Sequence, residues 1–170
     1  MRNNQPVTQN EFVIGEHQYL ISRTDLKGRI TYANPAFVEV SGYSREELLG
    51  APHNIVRHPD MPPEAFGDLW ETVKRGDTWT GLVKNRRKNG DFYWVLATVT
   101  PTLENGAVVG FTSVRVRPAA GTTAQAETVY ARFRSGQAGN LRIRGGQVER
   151  GGFAAVARKK NLRLLLTGGL

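Results

Sequence analysis

Apolar and polar positions change rhythm several times along the chain, and each change predicts an element. In residues 19–37, YLISRTDLKGRITYANPAF, two short apolar-rich runs flank Asp25-Leu26-Lys27-Gly28, whose glycine suits a tight turn, so this stretch predicts a two-stranded hairpin. Asn34 followed by Pro35 has the form of an N-cap and a first helical position, with Phe37, Val38 and Val40 as apolar cover for a short helix. Ser44 and Glu47 are spaced as a capping box, and Gly50 can stop the short helix they open. Farther on, Phe66, Leu69, Trp70 and Val73 recur at i, i+3, i+4 and i+7, which predicts an amphipathic helix from Pro63 to Arg75 ending near Gly76. Residues 79–101 read as two strands around Asn89-Gly90, and 107–117 as a third after Asn105-Gly106. Two strands, several short helices and three strands make an α+β fold: one antiparallel five-stranded sheet with short helices on one face.

Strand alternation sorts the run from residue 79 into two faces. Trp79, Gly81, Val83 and Asn85 share one, and Thr80, Leu82, Lys84 and Arg86 the other. The first face is expected to be buried, which turns the amide of Asn85 inward, where its donors and acceptor need partners.

From Pro118 the texture shifts to small residues. A helix from about Thr123 to Ser135 is expected to bury Val129, Tyr130 and Phe133. NLRIRGGQVERGGF reads as a glycine-turned pair of strands and AAVARKKNLRLLL as a basic amphipathic segment. Charge divides at the same place: residues 1–117 carry 14 Lys and Arg against 13 Asp and Glu, whereas residues 118–170 carry 9 against 2. The net charge of +8 therefore belongs mostly to the C-terminal extension. The expected division is a flexible segment over 1–9, a folded domain over 10–117 and a basic membrane-proximal linker or relay over 118–170.

Composition narrows the chemistry. With no cysteine, thiolate nucleophiles, disulfides and cysteine metal sites are excluded. No run of 18 apolar residues is long enough to span a bilayer. The densest polar cluster is HNIVRHPDMPPEAF, residues 53–66. His53, His58 and Asp60 are ligand types for zinc or iron, but Pro59 and Pro62 interrupt the stretch, and no metal site is assigned. The histidines are His17, His53 and His58, no Gly-x-Ser-x-Gly elbow accompanies the serines, and no enzyme is assigned.

The segments TDLKGRITYANPAFVEVSGYSREELLG and NRRKNGDFYWVLATVTP together resemble the entry pattern and central hairpin of a PAS domain, over about residues 10–117. PHNIVRHPDMP, the helix with Phe66 and the strand WTGLVKNRRKNG are similar to the bacterial aerotaxis receptor subgroup. That resemblance implies noncovalent FAD and a redox-sensing, non-enzymatic role on the cytoplasmic side of an inner-membrane-anchored receptor. It also implies contact with downstream receptor domains or self-association. The charge split and the apolar-basic mixture of the tail point to membrane contact, and with no recognised binding motif no nucleic-acid partner is assigned. The closing LRLLLTGGL is expected to begin a longer apolar segment of such a receptor.

Under this resemblance the cofactor-binding candidates are Asn34, His53, Arg57, His58, Asp60, Phe66, Trp79 and Asn85. Arg57, His53 and His58 supply N–H donors for a pyrophosphate or ribose, and Asp60 can orient Arg57 or accept from a ribose hydroxyl. The stretch then reads as a loop and short helix closing over a dinucleotide. Asn34 is equally a helix cap, and Phe66 and Trp79 are equally core residues. The absent cysteine excludes the photoadduct of light-sensing flavin relatives. Two alternatives stay open: a heme sensor with His53 or His58 as axial ligand, and a ligand-free interaction module.

Overall fold

The first hairpin joins β1 (Leu20–Asp25) to β2 (Ile30–Ala33) in the computed structural model, which describes residues 3–151. Its turn is built by Asp25, whose carboxylate accepts from the backbone N–H of Lys27 and Arg29, both at 2.9 Å. Gly28 takes φ of 82° there, and a Cβ on it would press within 3.2 Å of the Trp70 ring. Small helices follow: α1 (Pro35–Ser41), α2 (Arg45–Leu48), a single 3-10 turn at His53–Val56, and α3 (Pro63–Lys74). Asn34 caps α1 by accepting from Phe37 N–H, and the Ser44–Glu47 capping box opens α2. β3 (Trp79–Arg86), β4 (Phe92–Glu104) and β5 (Ala107–Val116) complete an all-antiparallel sheet of order β2-β1-β5-β4-β3.

Leu20, Ile30, Phe37, Val40 and Leu48 are fully buried between the sheet and the small helices. Each contributes about 1.5–3 kcal/mol by leaving water. β5 runs against the usual pattern. Its inward positions are Phe111, Ser113 and Arg115, the last only 2% exposed, while Val114 on the opposite face is 36% exposed. A polar inner face beside an apolar outer one marks a surface committed to something other than packing.

Residues 3–9, expected to be flexible, instead lie along the domain. The Asn4 amide, 8% exposed, donates to the carbonyls of Asn54 at 3.0 Å, Ile55 at 3.3 Å and Arg57 at 2.8 Å. Arg86 Nε donates to Pro6 O at 2.8 Å, and Thr8 Oγ1 bonds Asp91 Oδ1 at 2.6 Å. The strap thus holds the 3-10 turn against the end of β3.

The extension forms α4 (Thr122–Arg134), then the hairpin of β6 (Leu141–Arg144) and β7 (Gln147–Arg150). Of the apolar residues expected in that helix, Tyr130 is buried, and Val129 and Phe133 pack partly buried against the core. The helices between β2 and β3 share one face of the sheet, but α4 covers part of the other. Tyr130 stacks on Trp94 at 6.3 Å between centroids, its hydroxyl donates to Leu82 O at 2.7 Å, and Glu127 pairs with Lys84 at 3.1 Å. With the N-terminal strap over Arg86, both faces of β3 are largely buried, and Leu82, Lys84 and Arg86 are as shielded as Val83 and Asn85. The basic amphipathic segment at 154–166 lies outside the described residues. Within them, no helix is long and apolar enough to cross a membrane.

Candidate functional site

A cavity of about 280 Å³ opens between α3, the 3-10 turn and the inner face of the sheet. This is at the lower edge of the roughly 300–1,000 Å³ of small-molecule pockets. Phe66, Leu69 and Trp70 come to it from α3, one face of the amphipathic helix, and Val83 and Asn85 from β3. β4 adds Ala97 and Val99, and β5 adds Phe111, Ser113 and Arg115. His53, Asn54 and Arg57 close one side from the turn, and Thr24, Lys27 and Gly28 line it from the β1–β2 hairpin. A backbone bridge between Arg57 and Asn85 ties the turn to the end of β3.

Polar side chains from several elements are set into this mostly apolar slot. Arg115 donates to Ser22 Oγ at 2.8 and 3.1 Å and to Ser113 Oγ at 2.6 Å, and its guanidinium lies 4.4 Å from the centroid of Phe37. No carboxylate pairs with it among the described residues. Burial draws its pKa down to about 10, against a smaller opposing pull from Tyr93. His53 stacks on Phe37, with Nε2 3.0 Å from Ser22 Oγ. Burial first, then the positive charge of Arg115, pushes its pKa down to about 3, so the imidazole is neutral. The Arg57 guanidinium sits 3.5 Å over the ring of Phe66, and burial lowers its pKa to about 10. Thr24 Oγ1, Arg57 Nε and Arg115 Nε are buried without a hydrogen-bond partner among the described residues, and all three belong to cavity-lining residues. Buried polar atoms are rarely left so, and a ligand rich in acceptors would satisfy the two arginines.

Residues 30–115 match the family model described as the PAS fold. The chain belongs to the PAS family. This PAS domain is 46% identical over 153 residues to the aerotaxis receptor of Escherichia coli (strain K12), an alignment spanning 90% of the chain and 30% of the receptor. Among solved structures it is similar to a PAS domain from Colwellia psychrerythraea, with 27% identity, a TM-score of 0.54, and coverage of 58% of the chain and 85% of that domain. A light-oxygen-voltage domain studied with a flavin analogue shares the fold at 21% identity and a TM-score of 0.54, over 70% of the chain and 87% of that domain.

Of the eight candidates read from the PAS resemblance, the structure brings His53, Arg57, Phe66 and Asn85 to the cavity and leaves four outside it. Asn34 is consumed by local structure: its side chain accepts from Ile21 N–H and Phe37 N–H and donates to Tyr19 O. Trp79 is buried, with Nε1 donating to Asp68 at 2.8 Å. His58 and Asp60 turn to the far side of β3, because the prolines at 59 and 62 carry the chain around that edge strand. There Asp60 bonds Lys84 at 2.8 Å and does not orient Arg57. Burial, then repulsion from Lys84, draws the pKa of His58 down to about 4. Burial alone would raise that of Asp60, but the hydrogen bond and charge of Lys84 outweigh it.

Sequence reasoning missed Arg115, Ser113, Ser22 and the Asn4 clasp. The signal for the first two was the alternation Phe111, Ser113, Arg115 against Thr112, Val114, Val116, which an apolar-inside rule assigns to the wrong faces. Among the described residues no group of three or more His, Asp or Glu could hold a metal ion.

Proposed function

We propose that this PAS domain is the sensory, non-enzymatic module of an aerotaxis-type receptor, that its cavity holds FAD noncovalently, and that the redox state of the bound flavin is the signal. The observation that carries the reading is the polar lining of a mostly apolar slot: a buried Arg115 cation with no carboxylate partner among the described residues, a neutral His53 close to it, and the inward amide of Asn85. A flat heteroaromatic ring with one acceptor-rich edge suits that combination. Further support comes from the 46% identity to the aerotaxis receptor, the subgroup whose resemblance implies FAD.

When bound, the flavin supplies the electron-accepting chemistry; the chain positions and tunes it. Val83, Ala97, Val99, Leu69 and Phe111 offer apolar walls, and Trp70 and Phe66 offer aromatic surface for a ring. Asn85 and Arg115 would meet the polar ring edge, and an amide can present either its donor or its acceptor as that edge gains or loses a proton. Because the cavity is small for a dinucleotide, the remainder would extend to the mouth, where Arg57 and Lys27 are the nearest cations for a pyrophosphate. A heme reading gains nothing here: His53 Nε2 is engaged with Ser22, and His58 faces away.

The chain spans 30% of the length of the aerotaxis receptor, so its placement on the cytoplasmic side of an inner-membrane-anchored protein, working on downstream receptor domains or a second copy, is part of this proposal. The test is the absorbance spectrum of the purified protein, followed by chromatography of the cofactor released on denaturation. Equimolar FAD is expected. A colourless protein that cannot be reconstituted, or one with a Soret band, overturns the reading. Arg57→Ala should weaken FAD retention by roughly ten- to a hundredfold, the loss of one charge-assisted contact.

A further inference from the structure

We propose that residues 122–150 form a clamp that reads the cavity from outside, with Asp68 as its coupling residue. α3 has two working sides. Phe66, Leu69 and Trp70 line the cavity, whereas Asp68 points to the β6–β7 hairpin. Its carboxylate accepts from the backbone N–H of Gly145 at 2.9 Å and Gly146 at 2.7 Å, and from Trp79 Nε1, the first residue of β3, at 2.8 Å. One side chain thus joins a cavity wall, the edge strand and the turn of the extension.

The same extension grips β3 along its free edge. Gln147 Nε2 donates to Thr80 O at 3.0 Å, and the Tyr130 hydroxyl donates to Leu82 O. Two residues on, Lys84 reaches Glu127 of α4. Val83 and Asn85, between and beside these grips, line the cavity. The fit is tight at the turn: Gly145 and Gly146 have φ of 60° and 86°, and a Cβ on Gly146 would run into the carbonyl of Thr80. A side chain on Gly81 would in turn come within 2.9 Å of Gly146 O. Because Asp68 on α3 is bonded both to Trp79 of β3 and to a turn that packs against Thr80, a change in the spacing of α3 and β3 on the cavity side has to be taken up at the Asp68 hydrogen bonds. Two arrangements of those bonds, weighted differently by the cavity's state, are what a ligand needs to shift a population.

This inference rests on the flavin reading for the identity of the stimulus but not for the coupling itself. Backbone N–H groups bonded to a carboxylate have displaced proton resonances, so the Gly145 and Gly146 amides are the readout in ¹H–¹⁵N spectra of the full chain. In the FAD-containing protein both resonances are expected to shift between the oxidised and the dithionite-reduced state. Asp68→Asn should abolish that dependence without loss of FAD, since Asp68 does not line the cavity. Should that variant not fold, Gly146→Ala, which lifts the turn off Thr80, should abolish it for Gly145. Resonances that stay fixed on reduction in the unaltered chain, or that still respond in the variants, overturn the clamp. If the protein carries no flavin, the cavity reading falls on the absorbance spectrum alone, and the clamp is tested by Leu69→Ala, which trims the cavity wall. A shift of both glycine resonances then upholds the coupling, and unchanged resonances refute it.

Discussion

Arg115→Met should leave the stability of the flavin-free protein nearly unchanged and lower the reduction potential of the bound flavin. Two opposing terms set the first effect. Burial has already drawn the Arg115 pKa from 12.5 to about 10, so the charged form is disfavoured by roughly 3 kcal/mol at this site, and that penalty disappears with the charge. Against it, Ser22 and Ser113 lose donors, which costs about 1–3 kcal/mol. The flavin-bound state has no such cancellation. Reduction leaves negative charge on or near the ring, and a charge-assisted hydrogen bond contributes about 1.5–3 kcal/mol. At about 30 mV per 1.4 kcal/mol for a two-electron couple, the midpoint should fall by roughly 30–65 mV. Spectroelectrochemical titration measures the midpoint, and thermal unfolding of apoprotein measures stability. Arg115→Lys, which keeps the charge and loses the planar fork, should fall between. A midpoint that rises, or stays in place with FAD content unchanged, would refute the assignment of Arg115 to the ligand.

Asn85→Val keeps β3 in the sheet because valine favours strands, but it removes the inward amide; either FAD content or midpoint potential should change, and preservation of both would mean the amide is idle. Acid should destabilise the domain in a defined window. His53 and His58 have folded pKa values near 3 and 4, below the ordinary 6.5, so their contribution is complete above pH 6.5 and is lost as pH falls through 4 towards 3, by a few kcal/mol in all. Around His58 the groups in play are Lys84, Arg86 and Arg134, which oppose its protonation, and Asp60, which favours it. Urea midpoints at pH 7.5, 5.5 and 4 measure the slope, and His58→Asn should flatten it; a midpoint constant over this range would show that the imidazoles are not buried neutral.

Much of the architecture is legible in the amino-acid sequence because its causes are local. The Asp25–Gly28 turn, the Asn34 and Ser44 caps and the Phe66–Val73 stripe each depend on residues within two turns of one another, and each appears where its pattern places it. The inward set Val83 and Asn85 is readable as well, since a strand has only two faces and one carries the apolar residues. Alternation does not say which face is buried, however, nor that both are. On β5 Ser113 and Arg115 face the cavity beside Phe111 while Val114 faces water, the inverse of an apolar-inside rule, because the inner face there lines a cavity as well as a core. The cluster at 53–66 reads as one motif along the chain but is divided by its prolines around the β3 edge, with His53, Arg57 and Phe66 to the cavity and His58 and Asp60 to Lys84. Asn4 carries no local signature, for its partners lie 50 or more residues away in sequence, and the bonds of Asp68 to the hairpin turn and of Arg115 to Ser22 span 77 and 93 residues. Short-range sterics and hydrogen bonds settle elements from a few neighbouring residues. The cavity and its clamp exist only where segments far apart in the chain converge, and that convergence belongs to the tertiary structure.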